Sequence, residues 1–319
     1  MAKKEADSKE SGNSVLIAGT SNRPFAEQVS KKVGLPLFPV DILHFPDGEC
    51  RVHIKGNIAG KQAIVIQSMG KKPNEYLVET LLIADALRRA RVREIILACP
   101  YLAYSRQNLP ESDGASLAAR LFAHFINEAG VTKLITMDLH AESITSFYDF
   151  PVVHLTARDC FAEKLKKELV KGKDWIVVGP DLGSAKLSGA YAETLGIPFA
   201  LLQKRRLDAR NTKILSMVGE VKGKKVLLAD DMCSTAGTLM SAVKECQEKG
   251  AEKIYAVVTH GPLVEASVKL IEDSSIELLF VSDSCLQSKG VISCSKICVV
   301  SVASTFAAAI SSEIENFCR

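Results

Sequence analysis

Short apolar runs recur along the chain, each followed by a longer segment in which apolar positions return every third or fourth residue. The runs read "SVLIAGT", "QAIVIQS", "EIILACP" and "KLITMDL", then "WIVVGPD", "FALLQKR", "KVLLADD", "KIYAVVTH", "ELLFVSD" and "KICVVSVA". Their apolar character is continuous rather than alternating, which predicts strands buried on both faces. Between them the helical period predicts helices over Glu75 to Ala90 and Ser116 to Glu128. Ser116 is the expected N-cap of the second, and Gly130 its expected stop. Alternation of this kind is the signature of an α/β fold with mostly parallel sheets. A boundary is expected in "DFPVVHLTARDC", around residues 150 to 160, where Pro151 closes one α/β set before a new helical pattern begins.

One stretch carries more than a fold. In "VLLADDMCSTAGTLMSAVKECQEKGAEKIYAVVTH", residues 226 to 260, a buried strand runs into two adjacent carboxylates, Asp230 and Asp231. Turn formers and hydroxyls follow at Ser234, Thr235, Gly237 and Thr238, and then a helix with apolar positions at Leu239, Ala242, Val243 and Cys246, ended by Gly250. With "KIYAVVTH" as the next strand this is a βαβ unit, whose loop lies at a strand carboxyl end and a helix N-terminus. Open α/β sheets bind ligands there, and a helix N-terminus suits a phosphate. The carboxylates cannot hold an anion, but they can accept hydrogen bonds from sugar hydroxyls or hold a metal through water. The combination points to a phosphorylated sugar, with phosphate in the loop and the ribose diol on the acids. The plainer alternative is an ordinary turn with Ser or Asp capping.

Other strand ends are also polar. Asp138 and His140 follow "KLITM", Asp181 follows "WIVVG", Lys204, Arg205 and Arg206 follow "FALLQ", and His260 follows "KIYAVVT". On one parallel sheet these ends share a rim. Cations beside carboxylates and imidazole suit phosphoryl transfer, where charge must be neutralised and Mg²⁺ placed. Neither GxxxxGK[ST] nor GxGxxG is present, so a nucleotide would be held by another device.

Composition narrows the class. A chain of 319 residues, 47% hydrophobic and 24% charged, has the makings of a soluble globular protein with two α/β domains. Its net charge of +3 is small and its basic residues are scattered, which argues against nucleic acid. No run is long enough to predict a membrane span. The opening "MAKKEADSKESG" is expected to be a disordered polar tail rather than a targeting peptide. The nine cysteines are dispersed without a CxxC pair, as expected of reduced thiols in a cytoplasmic protein. Cys294 and Cys298 have no His nearby to complete a metal site. Cys233, inside the candidate loop, is the thiol whose modification would bear on function.

Taken together, "FPDGECRVHI" (45–54), "YSRQ" (104–107), "AGVTKLITMDLHA" (129–141), "VVGPDLGSAK" (177–186), "LLQKRR" (201–206), "VGEVKGKKVLLADDMCSTAGTL" (218–239) and "THGPL" (259–263) resemble the ribose-phosphate pyrophosphokinase family in order and spacing. The resemblance runs from about residue 14 to the C-terminus. It implies two similar domains of phosphoribosyltransferase type, each a mostly parallel sheet flanked by helices. The first would span 14–155, with a C-terminal helix over 305–319 packed on it, and the second 156–304, behind a tail of residues 1–13. It implies transfer of the β,γ-diphosphoryl group of ATP to the 1-hydroxyl of ribose 5-phosphate, with Mg²⁺, in homo-oligomers built from dimers and commonly hexameric. The resemblance assigns Phe45, Asp47, Glu49, Arg106, Gln107 and His140 to ATP. Lys204 and Arg206 become a mobile catalytic arm acting with His140, and His140 with Asp181 the metal-linked pair. Asp181, Asp230, Asp231 and the loop Ser234, Thr235, Ala236, Gly237 and Thr238 fall to ribose 5-phosphate.

Two departures stand out. Ser234 occupies a position that is commonly Asp in the synthetases. The segment "RQNLPESDGASLAAR" carries Asn108, Leu109, Pro110 and then acids where the family continues with Asp and several basic residues. That segment serves nucleotide binding and regulation in phosphate-activated, ADP-inhibited members, so the resemblance leaves that regulation and the nucleotide preference open. Two rival readings follow: a catalytically silent synthetase-like subunit that regulates an active partner, and a phosphoribosyltransferase using the same kind of loop.

Overall fold

The computed structural model describes residues 11–110, 112–168, 174–206 and 212–319, with side chains left undescribed at residues 11, 168, 204–206 and 212–215. The chain divides into two compact units. One comprises Met1–Thr156, Ser284–Leu286 and Val302–Arg319, and the other Ala157–Asp283 and Gln287–Ser301.

The first unit is built on a five-stranded parallel sheet. Its strands are β1 (Ser14–Ala18), β4 (Gln62–Ile66), β5 (Glu94–Cys99), β6 (Lys133–Met137) and β7 (Val152–Leu155), side by side in that order. Every residue of β1 and β4 is buried, which is why these runs lack alternation. Helices α1 (Arg23–Val33), α2 (Pro73–Arg89) and α3 (Ala118–Glu128) connect the strands. The third starts two residues later than Ser116, and its N-cap position is Leu117, with no side-chain cap. The Ala119 N–H instead donates to the Gln107 carbonyl at 3.2 Å, tying the base of the 108–116 loop. A separate antiparallel hairpin, β2 (Val40–His44) and β3 (Cys50–Ile54), carries "FPDGE" in its turn. The C-terminal helix Ala303–Cys318 packs on α1, and Phe306 meets Phe25 edge-on with ring centroids 5.6 Å apart.

The second unit holds a seven-stranded sheet. Its order is β10 (Thr212–Val218), β9 (Phe199–Arg206), β8 (Trp175–Gly179), β11 (Lys225–Met232), β12 (Lys253–His260), β13 (Ile276–Ser282) and β14 (Ile297–Val300). All neighbours are parallel except β9 and β10. Helices α4 (Arg158–Glu168), α5 (Ala185–Leu195), α6 (Gly237–Glu248), α7 (Glu265–Asp273) and α8 (Lys289–Ser293) flank it. Its core gathers Val226 and Leu228 of β11, Ala256 and Val258 of β12, and Leu239, Val243 and Cys246 of α6.

Two sheets, not one, carry the polar strand ends. Asp138 and His140 follow β6 of the first sheet, whereas Asp181, Lys204, Arg206, Asp230, Asp231 and His260 belong to strand ends of the second. The expectation of one shared rim is thereby corrected: separate cores divide these residues into two sets.

Candidate active site

The acidic end of β11 is assembled from three strand ends and two helix starts. Asp230 and Asp231 are the sixth and seventh residues of the strand, and both are half-buried. Asp181 lies two residues beyond β8, the parallel neighbour of β11. Its loop is fixed by a reciprocal pair: the Ser184 N–H donates to Asp181 Oδ1 (3.1 Å) and the Asp181 N–H to Ser184 Oγ (3.2 Å). Ser188, fully buried on α5, donates to the Ala229 carbonyl (2.8 Å) and so anchors the strand just before the acids. Neither serine was singled out from sequence, since each reads as an ordinary small residue in a helical pattern.

Three carboxylates in one place have an electrostatic consequence. Burial, and then the charges of Asp231 and Asp181, hold the Asp230 carboxyl well above the usual carboxylate range. A divalent cation or a set of hydroxyl donors would relieve that repulsion. Hard carboxylate oxygens are the donor set that Mg²⁺ takes, so the residues present fit the ion.

The loop that follows is shaped for an anion. Cys233 N–H donates to the His260 carbonyl (2.8 Å), and Ala236 adopts a left-handed backbone at φ 64°. That conformation costs a non-glycine residue about 1 kcal/mol. Helix α6 starts directly after it, with Met240 N–H making the bond to Ala236 C=O (2.8 Å) and no side chain capping the end. Thr235, Gly237 and Thr238 are exposed and Ser234 half-buried, so this uncapped end of the dipole opens to solvent. The Cys233 thiol is not the modifiable group expected: it is buried, and burial together with the Asp230 charge pushes it up to about 12. At neutral pH it is an inert thiol.

In the first unit, Phe45, Asp47 and Glu49 form the tip of the β2–β3 hairpin. Phe45 N–H donates to the Glu49 carbonyl (2.8 Å), Glu49 N–H to Asp47 Oδ1 (3.1 Å), and Gly48 sits at φ 94°. Phe45 remains 38% exposed, a large apolar ring held at a turn with a face open to stacking. Arg106 and Gln107 are exposed beyond β5, after Tyr104 in a left-handed conformation (φ 64°) whose hydroxyl meets Asn74 Oδ1. His140 is exposed in a loop tied to β7 by two donations: Asp138 N–H to the Leu155 carbonyl (3.0 Å) and Leu139 N–H to His154 Nε2 (2.9 Å). His154 thus accepts at Nε2 and positions the His140 loop, a role invisible in "PVVHL". Lys204 and Arg206 close β9, and their side chains lie outside the described residues.

Two units built on mostly parallel sheets, one with acids at a strand end directly before an uncapped helix, define an α/β protein of the phosphoribosyltransferase type. Residues 14–130 match the N-terminal domain of ribose phosphate pyrophosphokinase, and residues 204–316 the phosphoribosyl synthetase-associated domain. The chain belongs to the ribose-phosphate pyrophosphokinase family. A ribose-phosphate pyrophosphokinase from Thermosipho africanus is 37% identical over 269 residues, covering 84% of this chain and 85% of the relative. Ribose-phosphate pyrophosphokinase 2 from Enterococcus faecalis is 38% identical over 269 residues, covering 84% and 83%. The crystal structure of phosphoribosylpyrophosphate synthetase from Mycobacterium smegmatis superposes with a TM-score of 0.89 at 29% identity, covering 95% of this chain and 99% of that one.

Proposed function

We propose that this chain is a ribose-phosphate diphosphokinase, making 5-phosphoribosyl 1-pyrophosphate and AMP from ATP and ribose 5-phosphate. The observation that carries it is the Asp181, Asp230 and Asp231 cluster immediately before the uncapped start of α6, in a chain of this family. Asp230 and Asp231 accept hydrogen bonds from the ribose hydroxyls, and Ser234, Thr235, Ala236, Gly237 and Thr238 cradle the 5-phosphate. Phe45 stacks on the adenine, with Asp47, Glu49, Arg106 and Gln107 completing the ATP contacts.

The ribose 1-hydroxyl oxygen attacks the β-phosphorus in line. The bond from that phosphorus to the bridging oxygen breaks, the oxygen stays with AMP, and the hydroxyl proton leaves to solvent. No side chain is needed as a covalent partner, so catalysis is positioning plus charge neutralisation. Lys204 and Arg206 place two positive charges on the migrating group. His140 meets the ATP phosphates, and Asp181 would hold Mg²⁺, which when bound neutralises phosphate charge. We take residues 14–155 with the helix 305–319 as the N-terminal α/β domain, and 156–304 as the phosphoribosyltransferase-like domain. The working form is a cytoplasmic homo-oligomer built from dimers.

The test is AMP release from MgATP by the full chain, with and without ribose 5-phosphate, beside Lys204→Ala. Release that requires the sugar and falls about 10²–10³-fold in the variant supports the assignment. A folded protein that binds ATP and turns nothing over would make it a silent subunit, with Ser234 and the 108–116 segment as the lesions. Nucleotide formation from added nucleobase and phosphoribosyl pyrophosphate would instead identify a phosphoribosyltransferase.

A further inference from the structure

We propose that His44, Cys50 and Glu79 form a binding site for a zinc-type divalent cation in the first unit, clamping the β2–β3 hairpin to α2. His44 ends β2 and Cys50 begins β3, and the two are cross-strand partners, so their side chains leave the hairpin on one face. Glu79 comes from α2. One ligand atom of each residue lies within 4.8 Å of the other two.

The geometry suits a tetrahedral ion. His44 Nε2 and Glu79 Oε2 stand 3.3 Å apart. A direct N–H···O bond is usually about 2.9 Å. Two ligands each about 2.0–2.1 Å from one tetrahedral ion stand about 3.4 Å apart. The carboxylate is already oriented: Thr20 N–H and Gln67 Nε2 donate to Oε1, both at 2.7 Å, and the Thr20 hydroxyl donates to Oε2 at 2.5 Å. Oε2 keeps a second lone pair on the side of His44. An oriented, hydrogen-bonded carboxylate is the outer support that metal ligands use. Glu79 is 0% exposed and His44 40%, so the site has a buried floor and a solvent side where water can complete four-coordination.

The donor chemistry selects the ion. Imidazole, thiolate and carboxylate suit zinc and its neighbours, whereas Mg²⁺ prefers oxygen and discriminates against sulfur. Cys50 is a free, half-buried thiol beside the Glu79 carboxylate. On binding, the S–H bond breaks, the S–metal bond forms and the proton leaves to solvent.

The site is testable without either substrate, so its failure would leave the proposed activity untouched. Co²⁺ is titrated into the metal-free full chain, reading the sulfur-to-cobalt charge-transfer band and the visible bands of tetrahedral cobalt. One equivalent should bind, Zn²⁺ should bleach the spectrum, and excess Mg²⁺ should not. Cys50→Ser should abolish the charge-transfer band and His44→Gln should weaken binding at least tenfold, circular dichroism confirming that each is folded. No such band, a band unchanged in Cys50→Ser, or unaltered affinity in His44→Gln would each overturn the site.

Discussion

The molecule contains two strand-to-helix loops that look alike on paper and differ in what fills them. In the first unit, β1 runs through Gly19, Thr20, Ser21 and Asn22 into α1; in the second, β11 runs through Cys233 to Ala236 into α6. Each follows a buried parallel strand and faces the positive end of a helix. In the first loop the protein supplies its own acceptors. Thr20 N–H and hydroxyl donate to the buried Glu79 carboxylate, Ser21 N–H donates to Gln67 Oε1 (3.2 Å), and Asn22 Oδ1 caps Phe25 N–H (3.4 Å). Gly19 lets this happen, because a methyl group there would lie 2.2 Å from Gln67 Oε1. In the second loop the N-cap residue, Ala236, offers no side-chain cap, and the nearby acids stand before the loop rather than inside it. A loop whose anion is built in is structural, whereas one left open is free to take a phosphate from solution.

Variants that break this difference rank by expected effect. The largest belongs to Glu79→Leu, which strands the Thr20 and Gln67 donors in the interior. We expect a loss of about 3–5 kcal/mol in the unfolding of the first unit, measured with urea. Next is Asp231→Asn, which removes a charged acceptor from the open site. Ribose 5-phosphate should bind about 10–100-fold more weakly, from a contact of about 1.5–3 kcal/mol, while the fold is not destabilised.

Asp230→Asn carries a prediction of sign. A carboxyl whose folded pKa is raised binds protons more tightly in the folded state, so its stabilising contribution is present at low pH. That contribution is lost as pH rises from the ordinary carboxylate range towards the raised value. The stability of wild type should therefore fall relative to Asp230→Asn over that interval, and unfolding curves at successive pH values would show the variant the more stable at neutral pH. The smallest effect is at Ala236→Gly. Glycine removes the left-handed penalty but gains freedom in the unfolded chain, so melting should change by no more than about 0.5 kcal/mol. Ala236→Val, β-branched at the same φ, should lose about 1–3 kcal/mol.

Much of this was legible in the sequence, and the remainder was not for identifiable reasons. Strands buried on both faces announce themselves as unbroken apolar runs, which is why β1, β4 and β11 can be read directly. The hairpin strands β2 and β3 are half-exposed, with Asp41, Arg51 and His53 interrupting the pattern, so "VDILH" and "CRVHI" carry no such run. β7 is only four residues long, and β10 is an edge strand with a register shift between Ile214 and Ser216. Ser116 looked like a cap because of its residue type, yet the backbone of Gln107 decides where α3 starts. At the site, the acid pair and its loop were visible because they are contiguous. Glu79 was not, because one acid on a helix is ordinary until the fold brings Thr20, Gln67, His44 and Cys50 around it.

The most direct measurement of the difference between the loops is calorimetric titration of ribose 5-phosphate, with Mg²⁺ and α,β-methylene ATP present, into wild type, Asp231→Asn and Thr20→Val. The account predicts binding to wild type, at least tenfold weaker binding to Asp231→Asn, and wild-type affinity in Thr20→Val. Equal affinity in Asp231→Asn, or a loss confined to Thr20→Val, would place the sugar phosphate at the other loop and contradict it.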